Sequence, residues 1–262
     1  MRDWRERVRD EDVRALLAVL LPGIHDALGG QVVGAYLHGS LATGGFDPQS
    51  SDVDFVVATR EALSAGERDR LESRHTAIAG SELRWATNVE GSYIPLAALR
   101  RHDPGDCCFP VLRSDGSFGI DGHGAEWIIQ RYVIRQYGVV LCGPSPETLI
   151  DPISPDDLRK AARQTLREWW APQLRDSHRI EDDHYQAYAV QTMCRAHYTV
   201  IEGDVVPKPQ AVLWCLERVD RRWRRLIERA QAWRMGDSMD TFQETLAFMR
   251  ETLDALGVLE DR

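Results

Sequence analysis

The hydrophobic pattern of this 262-residue chain changes character once, near residue 150, and that change constrains the fold more than any single motif. Before it, helical and strand signals alternate; after it, every periodic segment is helical. Residues 10–28 carry an apolar stripe at Val13, Leu16, Leu17, Leu20 and Leu21. Pro22 is expected to kink or end the first part of that helix, and Gly29-Gly30 to close the rest. Residues 32–37 read as a short buried strand, 54–58 as a second, 61–78 as a charged amphipathic helix and 83–90 as a third strand. Residues 100–126, with Asp103-Pro104-Gly105-Asp106, Pro110 and four glycines from Gly116 to Gly124, read as irregular chain. A stretch of that length belongs to a site or an interdomain cover. A helix over 125–137 and a strand over 139–143 follow.

Ser154-Pro155-Asp156-Asp157 then opens the helical half, with Ser154 as N-cap, Pro155 in the first helical position and acids in the first turn. Helices are expected at 155–175, 183–202, 208–218, 219–235 and 238–256. The fold class is therefore α+β: a domain over 1–150 with a mixed sheet, followed by an all-α bundle over 151–262.

Composition narrows the partners. Lys and Arg number 32 against 41 Asp and Glu, a net charge of −9. That balance disfavours a nucleic-acid binder, which needs a basic face, and suits a cationic small molecule. Residues 15–22 form the longest apolar run, too short to span a bilayer, and the charged start at Met1-Arg2-Asp3 carries no apolar signal core. Cys107, Cys108, Cys142, Cys194 and Cys215 show no metal-ligand spacing and read as buried free thiols of a reducing compartment. A cytoplasmic protein without membrane or nucleic-acid partners, a monomer or weak dimer, is expected.

The segment that carries chemistry runs from His38-Gly39-Ser40 to Asp52-Val53-Asp54. A strand leads into Gly-Ser, and eleven residues later an Asp-x-Asp opens the next strand. Gly39 lets backbone approach a phosphate, and Ser40 offers a hydroxyl and an amide at the start of a short helix. Residues two apart in a strand face the same side, so Asp52 and Asp54 aim their carboxylates at one place. Two hard oxygen ligands there suit Mg²⁺ held against a triphosphate. Glu90, read as ending the third strand before Gly91-Ser92-Tyr93, is the third carboxylate, able to ligate metal or to accept a proton.

The pattern resembles the DNA-polymerase-β-like nucleotidyltransferase superfamily. Within it, the whole chain is similar to the aminoglycoside nucleotidyltransferases that adenylylate streptomycin and spectinomycin. The resemblance implies a nucleotidyltransferase domain and a helical domain with the site in the cleft between them, ATP as co-substrate and two Mg²⁺ ions. It gives metal binding to Asp52 and Asp54 and the role of catalytic base to Glu90. In the second half, Arg195-Ala196-His197-Tyr198-Thr199, Gly203 and Val206-Pro207-Lys208-Pro209 match the family's arginine–tyrosine–threonine, glycine, lysine series. Arg195 and Lys208 thereby inherit contacts to the nucleotide phosphates. The family's drug-binding aspartate has Tyr185 at its position; Asp182 and Asp183, a turn earlier, are the acids that could replace it, although acids there also serve as ordinary caps. Trp127 is a candidate for the family's drug-stacking tryptophan or, equally, a core residue.

The implied activity is Mg²⁺-dependent transfer of AMP from ATP to a hydroxyl of a small cationic acceptor of the aminoglycoside type. A protein hydroxyl as acceptor, and a nucleotide sensor that no longer transfers, are the alternatives. The run Arg221, Arg222, Arg224, Arg225, Arg229 and Arg234 reads as a solvated helix face over a buried stripe of Trp223, Ile227 and Ala230. His123 reads as a solvated loop residue.

Overall fold

The computed structural model of the chain describes residues 4–49 and 51–259. The charged start at Met1-Arg2-Asp3, and Ser50 inside the Gly-Ser to Asp-x-Asp segment, lie outside the described residues. Two units divide the chain between Pro152 and Ile153.

The first unit is built on a six-stranded sheet of order β5-β4-β3-β2-β1-β6. Its strands are β1 (Val32–Leu37), β2 (Val53–Thr59), β3 (Val89–Pro95), β4 (Cys108–Leu112), β5 (Phe118–Gly122) and β6 (Val139–Cys142). Only β2 and β3 run parallel, because the helix between them carries the chain back across the sheet; all other neighbours are antiparallel, so the sheet is mixed. The helices are α1 (Trp4–Arg7), α2 (Glu11–Leu28), α3 (Gly39–Thr43), α4 (Ala65–Ala79), α5 (Leu96–Arg100), α6 (Glu126–Tyr137) and α7 (Pro146–Leu149).

α2 is the core helix. Asp10 caps it, its carboxylate accepting the Val13 amide at 2.9 Å. It runs unbroken through Pro22, because Leu16, Leu17 and Leu20 on one side of the proline and Ile24 on the other are all buried in one cluster with β1 and β2. Glu11–Gln31 is long and apolar enough to cross a membrane by length and composition, unlike the apolar run visible in the sequence; here that apolar stripe is the packing face of a core helix.

Three sequence expectations are corrected in this unit. The helix after β2 starts at Ala65, not at residue 61, because Ser64 and Glu67 form a reciprocal capping box. The third strand is Val89–Pro95, not 83–90, so Glu90 stands at its start. Its glycine is what disguised it: a Cβ on Gly91 would lie 2.0 Å from the Phe55 ring, so the strand is weakened in pattern where an aromatic packs on its backbone. Residues 100–126 are not irregular throughout but contain the β4–β5 hairpin, turned by Gly116 at φ +81° and pinned by the Arg113–Asp121 ion pair.

The second unit gathers α8 (Pro155–Thr165), α9 (Asp183–Glu202), α10 (Lys208–Leu216), α11 (Arg224–Ala232) and α12 (Phe242–Ala255). α9 is its axis: α8, α10, α11 and α12 all pack on it, over Ala187, Val190, Met193, Cys194 and Ala196. The capping box of Ser154 and Asp157 starts α8. The helix expected over 155–175 instead leaves α geometry at Leu166–Trp170, a π turn, and continues as a 3-10 turn at Ala171–Leu174, with Pro172 inside that turn. The arginine-rich segment buries Trp223, Ile227 and Ala230 and pairs Arg224 with Glu228 on its outer face. Cys194 and Cys215 are buried, whereas Cys108 is exposed.

A carboxylate triad beside a glycine-serine turn

β1 delivers the chain to His38, whose amide donates to the Asp54 carbonyl at 3.0 Å and so joins the end of β1 to the start of β2. The backbone then turns through Gly39 at φ +57° into α3. No other residue fits there: a Cβ at Gly39 would lie 1.8 Å from Asp54 Oδ2. The glycine therefore holds the α3 entry directly against the second carboxylate of the Asp-x-Asp. Ser40, the next residue, has a buried hydroxyl without a hydrogen-bond partner. A buried unsatisfied hydroxyl costs about 1–3 kcal/mol, and an anion at this turn would satisfy it.

Asp54 and Glu90 are register partners in the parallel β2–β3 pair, and Asp52 precedes β2 by one residue. One oxygen from each of Asp52, Asp54 and Glu90 lies within 4.8 Å of the other two. Donors on opposite sides of one Mg²⁺ stand about 4.2 Å apart, so this cluster fits a hard divalent cation with small adjustment. The electrostatics agree. Burial first, and then the charge of Asp52, push the Glu90 carboxyl above the usual carboxylate range, while Ser114 pulls it back through hydrogen bonds from hydroxyl and amide. Three carboxylates so placed fit a site built to receive positive charge.

The same sheet face continues one residue pair on from Glu90. Ser92 on β3 lies 3.2 Å from His123 Nε2, and His123 stacks on Trp127 with centroids 3.6 Å apart and planes at 5°. His123 is therefore buried, not a solvated loop residue; burial and the nearby Arg131 guanidinium lower its pKa to about 3. Because His123 covers one face of the indole, and the Arg131 guanidinium lies 5.8 Å from the ring centre, Trp127 is packed into this layer. His38, edge-on to Trp127 at 6.1 Å, is likewise held neutral by burial, its pKa lowered to about 4.

In the second unit the positions singled out from sequence fall on one stretch of α9 and the start of α10. Asp182 is the N-cap of α9, its Oδ1 accepting the Tyr185 amide at 2.9 Å. Asp183 accepts the amides of Met239 and Asp240 and tethers that loop. Both acids thus have structural work. Seven residues bring a helix back to nearly the same face, so Tyr188 and Arg195 lie in line along α9. The Lys208 ammonium sits 5.7 Å over the Tyr188 ring. Arg195 Nε is buried without an acceptor, and Arg195 Nη2 lies 3.5 Å from Thr192 Oγ1. An unpartnered guanidinium nitrogen is a donor prepared for an anion.

Next to this cationic end is an aromatic one that sequence reasoning saw only in Tyr185. Trp170, buried, packs against both Tyr185 and Tyr188, and half-exposed Trp169 donates its indole N–H to the Tyr185 hydroxyl at 3.2 Å. Both tryptophans lie in the π turn. The signals available were the Trp169-Trp170 doublet and the Tyr185–Tyr188 spacing of three.

Comparison with known proteins places these features. Residues 23–90 match the nucleotidyltransferase domain family, and residues 148–256 match the family described as aminoglycoside adenylyltransferase, C-terminal domain. Among curated proteins, an aminoglycoside (3'') (9) adenylyltransferase of Klebsiella pneumoniae is 28% identical over 249 residues, 84% of this chain and 86% of that relative. A spectinomycin 9-adenylyltransferase of Campylobacter jejuni is 23% identical over 82% of this chain and 83% of its own length. Among solved structures, a spectinomycin adenyltransferase from Enterococcus faecialis with ATP and spectinomycin superimposes with a TM-score of 0.74 at 20% identity, covering 92% of this chain and 99% of that one, a likeness of fold.

Proposed function

We propose that this chain, which joins a nucleotidyltransferase domain to an aminoglycoside adenylyltransferase C-terminal domain and so belongs to that family, transfers AMP from ATP to a hydroxyl of an aminoglycoside-type antibiotic. The observation that carries the chemistry is the carboxylate triad of Asp52, Asp54 and Glu90 closing on the Gly39-Ser40 turn.

In the reaction, the acceptor oxygen bonds to the α-phosphorus, the bond from that phosphorus to the β-phosphate bridging oxygen breaks, and pyrophosphate leaves. Glu90 takes the acceptor's proton. Burial and the neighbouring Asp52 raise its pKa above the usual carboxylate range, which favours proton uptake. Asp52 and Asp54, with Glu90, would hold Mg²⁺, which when bound neutralises charge on the triphosphate and its transition state. Ser40 would donate its free hydroxyl to a phosphate oxygen and Gly39 would let the backbone approach. In the second unit, Arg195 and Lys208 would supply two positive charges for phosphate oxygens. ATP as co-substrate suits a cytoplasmic enzyme.

The acceptor side rests on the second unit. By the resemblance, Tyr185 takes the position of the family's drug-binding aspartate, and its aromatic neighbours Trp169 and Tyr188 offer flat faces, with the Tyr188 hydroxyl, in place of a carboxylate. Sugar rings stack their C–H faces on such rings, and ammonium groups bind over them. Trp127, packed under His123, serves this reading as a wall of the catalytic face, and Asp182 and Asp183 as supports of α9.

The test is direct: purified protein, ATP and Mg²⁺ are incubated with streptomycin, spectinomycin and a wider aminoglycoside panel, and products are read by mass. A drug carrying one added adenylyl group, with release of pyrophosphate, is the expected result. Pyrophosphate release with a lysate protein, but with no drug in the panel, would replace the drug by a protein acceptor.

A further inference from the structure

Within the helical unit lies a cavity of about 410 Å³, a size typical of small-molecule sites, that the proposed reaction does not use. It opens between α8, α9, α12 and the chain leaving α10. His197, Val200 and Ile201 line it from α9. Arg195 is two positions before His197, about 200° around the helix, so the cavity and the phosphate-binding face look in opposite directions.

The walls are apolar in body and polar at one side. Val200 and Phe248 are buried and Trp214 half-buried, and they form the apolar part. Arg163, His197 and Thr252 form the polar part. His197 and Thr252 satisfy one another, Nε2 to Oγ1 at 3.2 Å, and burial keeps the imidazole neutral with a pKa lowered to about 4.

The charged groups around the rim are engaged in different ways. Glu251 takes the Arg222 guanidinium and the Trp223 indole N–H; Asp220 caps the turn at Arg221–Trp223 through the Arg222 amide; Arg218 pairs with Glu217 and lies over Trp214 at 4.4 Å. Arg163 and Asp220 are the two of these charged groups in no ion pair among the described residues; Asp220 is engaged by the backbone amide of Arg222, whereas the Arg163 side chain reaches only a carbonyl. Its Nε donates to the Leu256 carbonyl at 3.1 Å, which fixes the guanidinium at the cavity wall and leaves its terminal nitrogens as donors.

We propose that this cavity binds a small organic carboxylate, with the anionic end on Arg163 and an apolar body against Val200, Trp214 and Phe248. The chemistry is opposite in sign to a cationic antibiotic acceptor, which identifies it as a second site and not an extension of the first. The inference stands whether or not the chain adenylylates a drug.

Isothermal titration of the full chain with 4-phenylbutyrate and its neutral analogue 4-phenylbutyramide tests it. Wild-type protein is expected to bind the carboxylate about tenfold or more tightly than the amide. Arg163→Met, which keeps an apolar stem, should still bind the amide and lose the preference. Arg163→Lys, which keeps the charge, should retain part of it. Ala255→Trp, a surface position on the cavity rim, should weaken both probes. Melting curves confirm that each variant is folded. Absence of binding to wild type, equal affinity for the two probes, or an undiminished preference in Arg163→Met would each overturn the proposal.

Discussion

Replacing Gly39 by alanine adds one methyl group, and the structure gives two separate costs for it. The first is conformational. Gly39 sits at φ +57°, where an L-residue pays about 1–2 kcal/mol. For a chain of this size that lowers the melting midpoint by roughly 2–8 °C. The second is local. The new Cβ would stand 1.8 Å from Asp54 Oδ2, where ordinary contact begins at 3.4 Å, so the carboxylate must retreat by about 1.6 Å. Misplacing a reacting or positioning group by about 1 Å costs on the order of a hundredfold in rate. Gly39→Ala is therefore expected to lose at least about a hundredfold in turnover while melting only modestly earlier.

Gly44 separates the two costs. It ends α3 at φ +82° with nothing within 4 Å of the position a Cβ would take. Gly44→Ala carries a similar backbone penalty without the clash, so its melting point should fall like that of Gly39→Ala while its turnover stays within a few-fold of wild type. The assay is pyrophosphate release with a drug acceptor, alongside thermal melting of each variant. If Gly39→Ala turns over within threefold of wild type, or if the two variants lose activity equally, the claim that Gly39 seats the Asp54 carboxylate is wrong.

Asp54→Asn keeps the size and removes the charge of a residue paired in register with Glu90; transfer should be abolished while circular dichroism is unchanged, and retained turnover would refute the triad mechanism. Arg195→Ala deletes a guanidinium whose Nε has no acceptor and should raise the KM for ATP about ten- to hundredfold, the worth of one charge-assisted hydrogen bond, with little change in the KM for the acceptor. Stability should also depend on pH. His75 and His197 are held neutral by burial, with pKa values lowered to about 4 against about 6.5 in the unfolded chain. Each therefore leaves stability intact above pH 6.5 and removes up to about 3 kcal/mol as the pH falls from 6.5 to 4. A melting midpoint that stays level across that window would contradict this, and His75→Gln, which cannot take up a proton, should flatten part of the fall.

The parts of this molecule that were legible in the sequence are those encoded over short distances. The strand at Val32–Leu37, the buried stripe of α2 and the capping box at Ser154 each declare themselves within one or two turns of chain. The Asp-x-Asp needs only the two-residue period of a strand to bring its carboxylates together. Errors came where a tertiary contact overrode a local preference. Gly91 breaks the look of β3 because Phe55 occupies the space of its side chain, and that shifted the strand and moved Glu90 from its start to its end. Asp103-Pro104-Gly105 and the glycines of β5 concealed a hairpin whose strands are held by pairing across the turn and by the Arg113–Asp121 ion pair. α2 survives Pro22 for the same reason in reverse, since burial on both sides outweighs one lost hydrogen bond.

The proposed acceptor face is the hardest part to read, and its physics says why. Trp169 and Trp170 come from a π turn, Tyr185 and Tyr188 from α9, and Lys208 from the first residue of α10, so no single window of sequence contains the group. A helix pattern drawn through 155–175 does not show that Trp169 and Trp170, both in the π turn, reach Tyr185 on α9. The acids at 182 and 183 lie a turn before the position where the resemblance implies a drug-binding aspartate, and the structure uses one to cap a helix and the other to hold a loop. The two aspartates converge because a strand's period makes them converge, and Glu90 joins them by pairing in register with Asp54. An acceptor surface assembled from packed aromatics depends instead on where three segments meet. On the proposed function, the carboxylate motif stays recognisable in sequence while the face that would choose the acceptor is aromatic where the resemblance implies an acid.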